Sequence, residues 1–490
     1  MQAVILAAGE GSRMNHPDGL PKVLVDLCGQ TLLEHVLGAL AALGIREFII
    51  VVGYRGEEIE GWIRRHRLDR RWAIQVVHNP CWPEGNASSI LAARPYLKDD
   101  RFVVAMGDHL FDPQALQGFL KVRGDFVGVF DSRPRLVDVA EATKARSHRG
   151  HVVALGKDLT EYRYVDTGLF ICSRRIFPFI EECLAEGVGT FNEVKRRWIA
   201  QGYVLHIFDC QGAFWMDVDT PEDLARAREW MSRRLKKTRD GLVARWLNRR
   251  LSIPISRWLV RNTSLTPNQI TVGVFGLTVL AALLFCWGGG LPVLLAGLLA
   301  QAASILDGCD GEVARLRHMS TPFGAWLDAV LDRWGDALLI IGMTWGAWRA
   351  LAQPWVWPLG FLALTGSFLI SYSEARYEGA FRELPLFGDG IPAKRDTRLF
   401  LMMLGGLSGQ LALALFLILV LTVAEGVRRG IMAALRCGPH PHPPNPLPLS
   451  RHRERGRGRK GFAASGKAAH RNPLSLPLSP YGRGEGLGEG

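Results

Sequence analysis

Short apolar runs separated by charged stretches occupy about the first 230 residues of the chain. The runs AVILAAG, EFIIVVGY, AIQVVHN and FVVAMGD each have the length of a buried parallel strand, and TLLEHVLGALAAL between the first two has helical spacing. Strands that alternate with helices predict a doubly wound α/β domain. In such a sheet, ligands bind at the carboxyl ends of the strands.

The chain becomes mostly apolar from about residue 268 to 424, with segments long enough to cross a bilayer. Spans are predicted at 269–288, 291–307, 329–348 and 355–373. The region 398–424 is either one long helix or two short ones, broken at Gly405-Gly406 and Ser408-Gly409. Because basic residues concentrate in cytoplasmic loops, their placement favours two. We expect an all-α polytopic domain of about six transmembrane helices in the inner (plasma) membrane, with the N-terminal domain in the cytoplasm.

Basic residues are concentrated in two places. Half of the net charge of +12 lies in residues 437–490, and much of the rest lies between Arg226 and Arg261, directly before the first apolar span. That position favours contact with anionic membrane lipid over contact with nucleic acid. Trp246 and Trp258 lie among these basic residues at helical spacing, which predicts an interfacial amphipathic helix. A solvated linker helix is the alternative.

Composition thus divides the chain into four parts. We expect a cytosolic α/β domain at 1–230, a basic amphipathic linker at 231–265, a membrane domain at 266–430 and a disordered low-complexity tail at 431–490. The eight cysteines are scattered without a CxxC pair, which indicates reduced thiols in a protein that faces the cytoplasm.

Glycine and basic residues follow the first predicted strand. Gly9 and Gly11 would let backbone N–H groups approach phosphates closely, and Arg13 and Lys22 would balance the phosphate charge. The spacing is not that of a Walker loop, and a tight strand-to-helix turn explains the glycines equally well. The glycine turn alone is therefore weak evidence for a nucleotide site.

A wider set of motifs is more specific. LAAGEGSRM, the following PK, the GD at Gly107-Asp108 and WMDVDTPEDL at 215–224 together resemble the sugar-nucleotidyltransferase family, which has a Rossmann-like fold. The resemblance implies that the NTP triphosphate is held by Gly9, Gly11, Arg13 and Lys22, and that Arg13 and Lys22 also take part in catalysis. It implies that Asp108 binds Mg²⁺ together with Asp217 or Asp219. It further implies that EGNASSI contacts the base and YVDTGLF the polyol, through these side chains: Asn86, Ser88, Asp166 and Thr167.

Four carboxylates stand out in the apolar half, within DGCDGEVARLRHMSTPFGAWLDAVLD. Asp307 and Asp310 are three residues apart, and Asp328 and Asp332 are four apart, so each pair shares one face of a helix. Bare carboxylates are costly in a membrane, whereas a divalent cation such as Mg²⁺ or Mn²⁺ would use them as oxygen ligands. Further along, PAKRDTR offers a basic cluster for an acceptor phosphate, and a positive-inside loop is the equal alternative; the cluster consists of Lys394, Arg395 and Arg398.

The full pattern, D-x2-D-G-x2-A-R-x8-G-x3-D-x3-D, resembles the signature of the CDP-alcohol phosphotransferase family at every fixed position. The resemblance implies that Asp307, Asp310 and Asp328 ligate metals on the CDP pyrophosphate. Asp332 would act as the general base on the acceptor hydroxyl and as a further metal contact. Three more motif residues would make room for the ligand or face its phosphates: Gly311, Ala314 and Arg315.

The order of the two halves, with GKDLTEYRYVDTGLF in the first and LTPNQIT leading into the second, is similar to one family of fused enzymes. These are bifunctional inositol-1-phosphate cytidylyltransferases and di-myo-inositol phosphate phosphate synthases. The resemblance implies that CTP and inositol 1-phosphate give CDP-inositol and pyrophosphate. Phosphoinositol then passes to a second inositol 1-phosphate, which gives di-inositol phosphate phosphate, a compatible-solute precursor, and CMP.

Three other functions stay open at this point. The second half could be a phospholipid synthase that uses a CDP-activated polyol or CDP-diacylglycerol. The polyol could differ from inositol, or the first half could be a non-catalytic nucleotide sensor. In each case we expect small-molecule substrates, contact with membrane lipid, no nucleic-acid partner, and a homodimer formed through the membrane domain.

Overall fold

A computed structural model describes residues 1–14, 19–235, 240–381 and 390–437, and residues 1–435 form one compact unit. From residue 438 on, the predicted tail lies outside the described residues. Thirteen strands occur in the described part: β1 Ala3–Ala7, β2 Asp26–Leu27, β3 Gln30–Thr31, β4 Glu47–Val52, β5 Ala73–His78, β6 Arg101–Met106, β7 His109–Phe111, β8 Phe126–Asp131, β9 Lys144–His148, β10 His151–Gly156, β11 Tyr164–Ser173, β12 Leu205–Asp209 and β13 Trp215–Asp217.

Fourteen α-helices occur in the same described residues: α1 Leu32–Ala42, α2 Gly56–Arg65, α3 Leu68–Arg71, α4 Asn86–Ala93, α5 Phe177–Ala185, α6 Phe191–Ala200, α7 Pro221–Leu235, α8 Arg249–Asn262, α9 Pro267–Trp287, α10 Gly290–Leu316, α11 Pro322–Leu351, α12 Val356–Phe381, α13 Arg395–Ser408 and α14 Leu411–Cys437. A π-helical turn, Ala244–Asn248, leads into α8.

A nine-stranded sheet forms the centre of the N-terminal domain, in the order β5-β4-β1-β6-β11-β8-β12-β10-β9. The first four strands in this order, β5, β4, β1 and β6, are parallel to one another, as the continuous apolar runs predict. The expected α/β domain is therefore confirmed. Its second half is mixed, because β11 runs antiparallel to both β6 and β8.

Side chains of β1 divide between two hydrophobic cores, one on each face of the sheet. Ala3 and Ile5 contribute to the core that includes residues of α1, α2 and α3, whereas Val4 and Leu6 contribute to the core that includes residues of α4, α5 and α6. Both faces of this strand are buried, which explains its uninterrupted apolar sequence. The sheet thus has helices on both sides, with its polar strand ends left for ligands.

The C-terminal half contains six long helices, α9 to α14, within its described residues. Four of them, α9, α10, α12 and α14, are long and apolar enough to cross a membrane. The others are α11, which carries several carboxylates, and α13, which has 14 residues. The polytopic class is confirmed, whereas six crossings stay a prediction.

The ambiguous region 398–424 forms parts of two helices. The chain stays helical through Gly405-Gly406 and breaks only at Gly409, whose φ of 69° is left-handed and therefore suits glycine. α14 then continues to Cys437, beyond the predicted end of the membrane domain at residue 430. The favoured prediction of two helices in this region is therefore confirmed, with the break at Ser408-Gly409 and not at Gly405-Gly406.

Small residues bring helices of the bundle into close contact. Gly342 and Gly346, one turn apart on α11, face the carbonyls of Ala282 and Phe285 on α9. A Cβ atom at either glycine would lie 2.4 Å from the facing carbonyl oxygen. Such contacts let two membrane helices approach at backbone distance, so side chains larger than glycine do not fit here.

The corner between α10 and α11 joins the two halves of the chain. Arg317 donates to the carbonyls of Val260 (3.0 Å) and Leu265 (2.6 Å) at the end of α8. Its own carbonyl accepts a hydrogen bond from Arg71 of the N-terminal domain (3.2 Å). The His318 ring lies against Gly38 of α1. The acids of α10 therefore lie near the end of the bundle that contacts the N-terminal domain.

Candidate active sites

Lys22 lies at the centre of the first site, at the carboxyl edge of the parallel strands. Its ammonium is 2.6 Å from Asp108 Oδ2 and 3.6 Å from Asp217 Oδ1, and it is ion-paired with Asp219. Burial alone would lower the pKa of Lys22, but the three carboxylates raise it above its ordinary value. The structure thus brings together the predicted lysine and all three predicted acids.

The glycine turn packs directly on this lysine. Gly11 has a φ of 65°, and a Cβ atom there would lie 2.5 Å from Lys22 Cβ. Gly9 has open space instead, with no atom within 4 Å of a Cβ. Arg13 is largely exposed and its guanidinium lies 2.9 Å from Asp219 Oδ2. Glycine is therefore required at position 11 by both conformation and space.

A two-stranded ribbon fixes the acids relative to one another. β13 pairs with β7 so that Asp217 lies opposite His109. His109 Nε2 is 3.5 Å from Asp217 and 3.7 Å from Asp108, while its Nδ1 hydrogen-bonds the carbonyl of Thr167 (2.8 Å). Burial would lower the pKa of His109, but the two carboxylates raise it to about 9.

This group of side chains fits a divalent metal ion. Asp108, His109 and Asp217 each offer a ligand atom, and the three atoms lie within 4.8 Å of one another. Carboxylate oxygens are the donors that Mg²⁺ and Mn²⁺ prefer, and the Lys22 ammonium balances part of their negative charge in this structure. His109 was missed by sequence reasoning, although it directly follows Asp108.

A cavity of about 670 Å³ extends from these acids across the domain. One side contains Arg13, His109, Asp217 and Asp219. The other side is polar as well and is lined by Asn86, Thr143, Lys157, Asp166, Asn192 and Lys195. The cavity is large enough for a polyol phosphate beside the acid cluster.

Three predicted ligands at this cavity make hydrogen bonds within the protein. Asn86 lines the cavity, but its carboxamide oxygen accepts from the amide of Phe191 (2.7 Å). Ser88 is buried, and its hydroxyl contacts the carbonyls of Cys81 and Gly85 at 2.9 and 2.8 Å. Thr167 is fully buried and donates to the carbonyl of Val129 (2.9 Å). The structure thus places Ser88 and Thr167 behind the cavity wall.

The second site lies where α10 faces the start of α11. Asp307, Asp328 and Asp332 each offer a carboxylate oxygen, and these oxygens lie within 4.8 Å of one another. Asp310, one turn after Asp307, accepts a hydrogen bond from the Thr271 hydroxyl of α9 (2.7 Å). Three convergent carboxylates have the donor chemistry of a Mg²⁺ or Mn²⁺ site. Three of the four acids predicted from the sequence spacing thus converge in the fold, whereas the Asp310 carboxylate is engaged by Thr271.

Two arginines of α13 differ sharply in their surroundings. Arg395 Nη1 lies between Asp307 Oδ2 (3.0 Å) and Asp332 Oδ1 (2.8 Å). Arg398 is only 2% exposed; its guanidinium donates to Asp336 Oδ2 (2.6 Å) and to a backbone carbonyl. Arg398 is therefore inaccessible to an acceptor phosphate. The prediction that it binds this phosphate is wrong, because its side chain is buried and paired with Asp336. Lys394 precedes α13 as its N-cap residue.

Asp336 was missed by sequence reasoning, although a signal for it was present. It continues the four-residue spacing of Asp328 and Asp332 along α11. It is 2% exposed and binds both arginines of α13, with Arg395 Nε at 3.1 Å. Asp336 therefore fixes α13 against the acid cluster.

The remaining motif residues lie on the last turns of α10. Gly311 faces the guanidinium of Arg315, which would lie 3.1 Å from a Cβ atom. Arg315 also donates to the carbonyl of Leu235 at the end of α7 (3.0 Å). Ala314 is partly buried on the same turn. Arg315 thus connects the last turns of α10 to the last helix of the N-terminal domain.

A buried network on the other side of α10 was also missed. Glu312 is fully buried and accepts from the hydroxyls of Ser252 and Ser256 of α8, each at 2.7 Å. It also accepts from Arg249, which forms a two-pronged ion pair with Asp240 at 2.7 and 2.8 Å. Glu312 occupies an unspecified position of the motif, so no spacing rule marks it.

Comparisons with known proteins agree with this division of the chain. Residues 3–201 match the family described as MobA-like NTP transferase domain, and residues 264–427 match the family described as CDP-alcohol phosphatidyltransferase. The chain is 43% identical over 437 residues to the bifunctional IPC transferase and DIPP synthase of Rubrobacter xylanophilus, which covers 89% of this chain and 97% of that protein.

Two further relatives extend the comparison. The protein of the same name from Aquifex aeolicus is 35% identical over 433 residues, covering 86% of this chain and 94% of that protein. The archaetidylinositol phosphate synthase of Pyrococcus horikoshii is 30% identical over 165 residues, covering 34% of this chain and 81% of that protein.

Fold and sites together define a bifunctional transferase, in which a nucleotidyltransferase domain precedes a membrane-type CDP-alcohol phosphotransferase domain. Both halves of the enzyme are carried by one chain. The chain belongs to the bifunctional IPC transferase and DIPP synthase family.

Proposed function

We propose that the chain makes a CDP-polyol and then consumes it. In the first reaction, CTP and inositol 1-phosphate give CDP-inositol and pyrophosphate. In the second, phosphoinositol passes from CDP-inositol to another inositol 1-phosphate, which gives di-inositol phosphate phosphate and CMP. The observation that carries this proposal is the presence of two acid clusters in one compact unit whose full length matches the fused family.

The first reaction needs charge neutralisation around the phosphates and in-line positioning. Asp108 would hold Mg²⁺ together with Asp217 or Asp219, and a bound Mg²⁺ would supply positive charge to the phosphate oxygens. The backbone of the Gly9–Gly11 turn would approach the triphosphate, with Lys22 and Arg13 as its cationic contacts. Asn86 is the candidate for contact with the base.

The second reaction needs a base near a second metal site. Asp307, Asp310 and Asp328 would hold the metal, and Asp332 would take the proton from the acceptor hydroxyl. Arg395 lies between two of these carboxylates, and Lys394 directly precedes it. We assign the acceptor phosphate to these two side chains and the CDP moiety to the turn that holds Gly311, Ala314 and Arg315.

The surroundings of α8 support a place at the membrane surface. Its exposed side carries Leu251 and Trp258, which is 59% exposed, whereas Ser252 and Ser256 are buried against α10. This polarity is the reverse of that on a soluble amphipathic helix and suits the lipid interface. We place the protein in the inner membrane with the N-terminal domain in the cytoplasm, as a homodimer through the membrane domain.

The proposed function is tested with membranes that contain the full chain. Labelled inositol 1-phosphate is supplied with CTP and Mg²⁺, and water-soluble and organic extracts are analysed separately. We expect pyrophosphate, CMP and a water-soluble diester that carries two labels. Failure to consume CTP would refute the first reaction, and CTP consumption without CMP release would refute the second.

A lipid acceptor or donor is the second candidate for the membrane domain. The similarity to an archaetidylinositol phosphate synthase over most of that protein's length favours this alternative. The same extracts distinguish the two, because a phospholipid synthase places the label in the organic phase. Recovery of the label there would make the chain a phospholipid synthase.

A further inference from the structure

A buried ion pair lies in the wall of the first cavity, away from the acid cluster. Lys195 of α6 is paired with Asp166 of β11, and their side chains are only 3% and 5% exposed. Asp166 also accepts from the amide of Gly168 (2.9 Å), which fixes the orientation of its carboxylate. The Lys195 ammonium lies 4.5 Å from the centroid of the Phe170 ring.

Burial of this pair is unfavourable as a purely structural feature. Two desolvated charges seldom stabilise a fold more than apolar side chains of the same volume do. Here the surroundings are already apolar, since Lys195 lies against Phe170 and Phe191. An apolar residue at position 195 would fill that space at lower cost. Because Lys195 and Asp166 also line the cavity, their charged groups are placed to contact a ligand there.

The pair offers both kinds of hydrogen-bonding group to the cavity. An ammonium has three N–H donors, and Asp166 is the hydrogen-bond acceptor of Lys195 among the residues that the structure describes. A carboxylate accepts several hydrogen bonds, and Asp166 Oδ1 accepts one from the amide of Gly168. A phosphate in this place would meet the Asp166 carboxylate at close range, so the charges oppose each other. Neutral hydroxyl groups suit both members of the pair.

We propose that Lys195 is a specificity-determining residue for the polyol and binds one of its hydroxyl groups, beside Asp166, for which the family resemblance already implies contact with the polyol. Lys195 donates to one hydroxyl oxygen and Asp166 accepts from the next hydroxyl group. This inference rests on the proposed function, because the polyol phosphate is a substrate of the first reaction. Asn192 and Thr143, which are hydrogen-bonded to each other at 3.0 Å, line the cavity nearby.

The test compares full-length wild type with Lys195→Met in membranes and follows pyrophosphate release. We expect the KM for inositol 1-phosphate to rise about 10- to 100-fold, which is the effect of losing one charged hydrogen bond. The KM for CTP should change less than about twofold, because the base and triphosphate contacts lie elsewhere. Lys98→Met serves as the matched control, since Lys98 forms an exposed ion pair with Glu47.

A double variant separates polyol binding from a structural role. If the pair only stabilises the fold, Lys195→Met with Asp166→Asn removes the uncompensated charge and restores the wild-type KM. Our inference predicts that the double variant stays at least as impaired as Lys195→Met. A KM for CTP within about twofold of the wild-type value shows that the N-terminal domain of each variant is folded. CMP release from supplied CDP-inositol and inositol 1-phosphate shows that the membrane domain is intact.

The outcomes are distinct. The inference would be overturned, while the proposed function stands, by any of three results. These are wild-type KM values in Lys195→Met, an equal rise of the KM for CTP and the KM for inositol 1-phosphate in that variant, or a wild-type KM in the double variant. A wild-type chain that releases no pyrophosphate from CTP and inositol 1-phosphate would refute the proposed function, and the inference with it.

Discussion

Removal of the Glu312 carboxylate should loosen α8 from α10 and impair the second reaction. Glu312 is fully buried and binds three groups of α8: Arg249, Ser252 and Ser256. In Glu312→Ala these groups lose their acceptor and stay buried. The N-terminal domain is not part of this network, so pyrophosphate release should persist.

The size of the effect follows from the partners that remain. Loss of one member of a buried ion pair costs about 3–5 kcal/mol. Because Asp240 still holds Arg249 through two hydrogen bonds, we expect the charge contribution to fall to about 1–2 kcal/mol, and two serine hydroxyls without an acceptor add about 1 kcal/mol each. A total of about 3–4 kcal/mol lowers the unfolding midpoint by roughly 6–15 °C for a domain of this size.

The effect is measured by heating the protein in detergent and monitoring its unfolding through the loss of CMP release. Glu312→Gln should lie between wild type and Glu312→Ala, since the amide keeps one oxygen acceptor. Glu181→Ala is the control, because Glu181 forms an exposed ion pair with Arg94 that contributes little. An unchanged midpoint and unchanged CMP release in Glu312→Ala would show that the network does not hold α8 in place.

Three further variants test the two sites separately. Gly11→Ala should reduce pyrophosphate release at least about 100-fold, because the added Cβ displaces Lys22, while CMP release from supplied CDP-inositol continues; normal pyrophosphate release would contradict this account of the turn. Asp332→Asn should reduce CMP release about 10²- to 10⁴-fold and leave pyrophosphate release intact, and full CMP release would exclude Asp332 as the base. Arg398→Leu should lower the unfolding midpoint without raising the KM for the acceptor; a raised KM in a stable variant would restore Arg398 as a phosphate ligand.

The sequence predicted the chemistry of both sites better than the direction of individual side chains. Lys22 was marked by its place after the first predicted strand, and the acids of α10 and α11 by their helical spacing. Asp108 was named from the family resemblance. Ser88 and Thr167 were named from the family resemblance, which identifies motifs but not the direction of each side chain. Their hydroxyls bind backbone carbonyls, and only the fold shows which way they point.

Residues that act through distant contacts were beyond the reach of sequence patterns. Lys195 lies on a helix whose sequence reads as solvated and amphipathic, and it meets Asp166 only when α6 packs on β11. Glu312 reads as a surface charge until α8 covers it with two serines and an arginine. In both cases tertiary packing determines whether the side chain is buried. A buried charge is costly unless it is paired, whereas a solvated charge on the surface is not.

The two glycines of α11 that contact α9 also set the longitudinal register of the bundle. A slide of α11 by one helical turn would shift its acids about 5.4 Å past Asp307. Gly342 and Gly346 oppose such a slide, since it would replace one of the two glycines by a residue with a side chain against the carbonyl of Ala282 or Phe285. The positions of the acids near one end of the helix are thus set by two residues without functional groups further along it. We expect a larger side chain at either glycine to displace these acids as well as to disturb the packing.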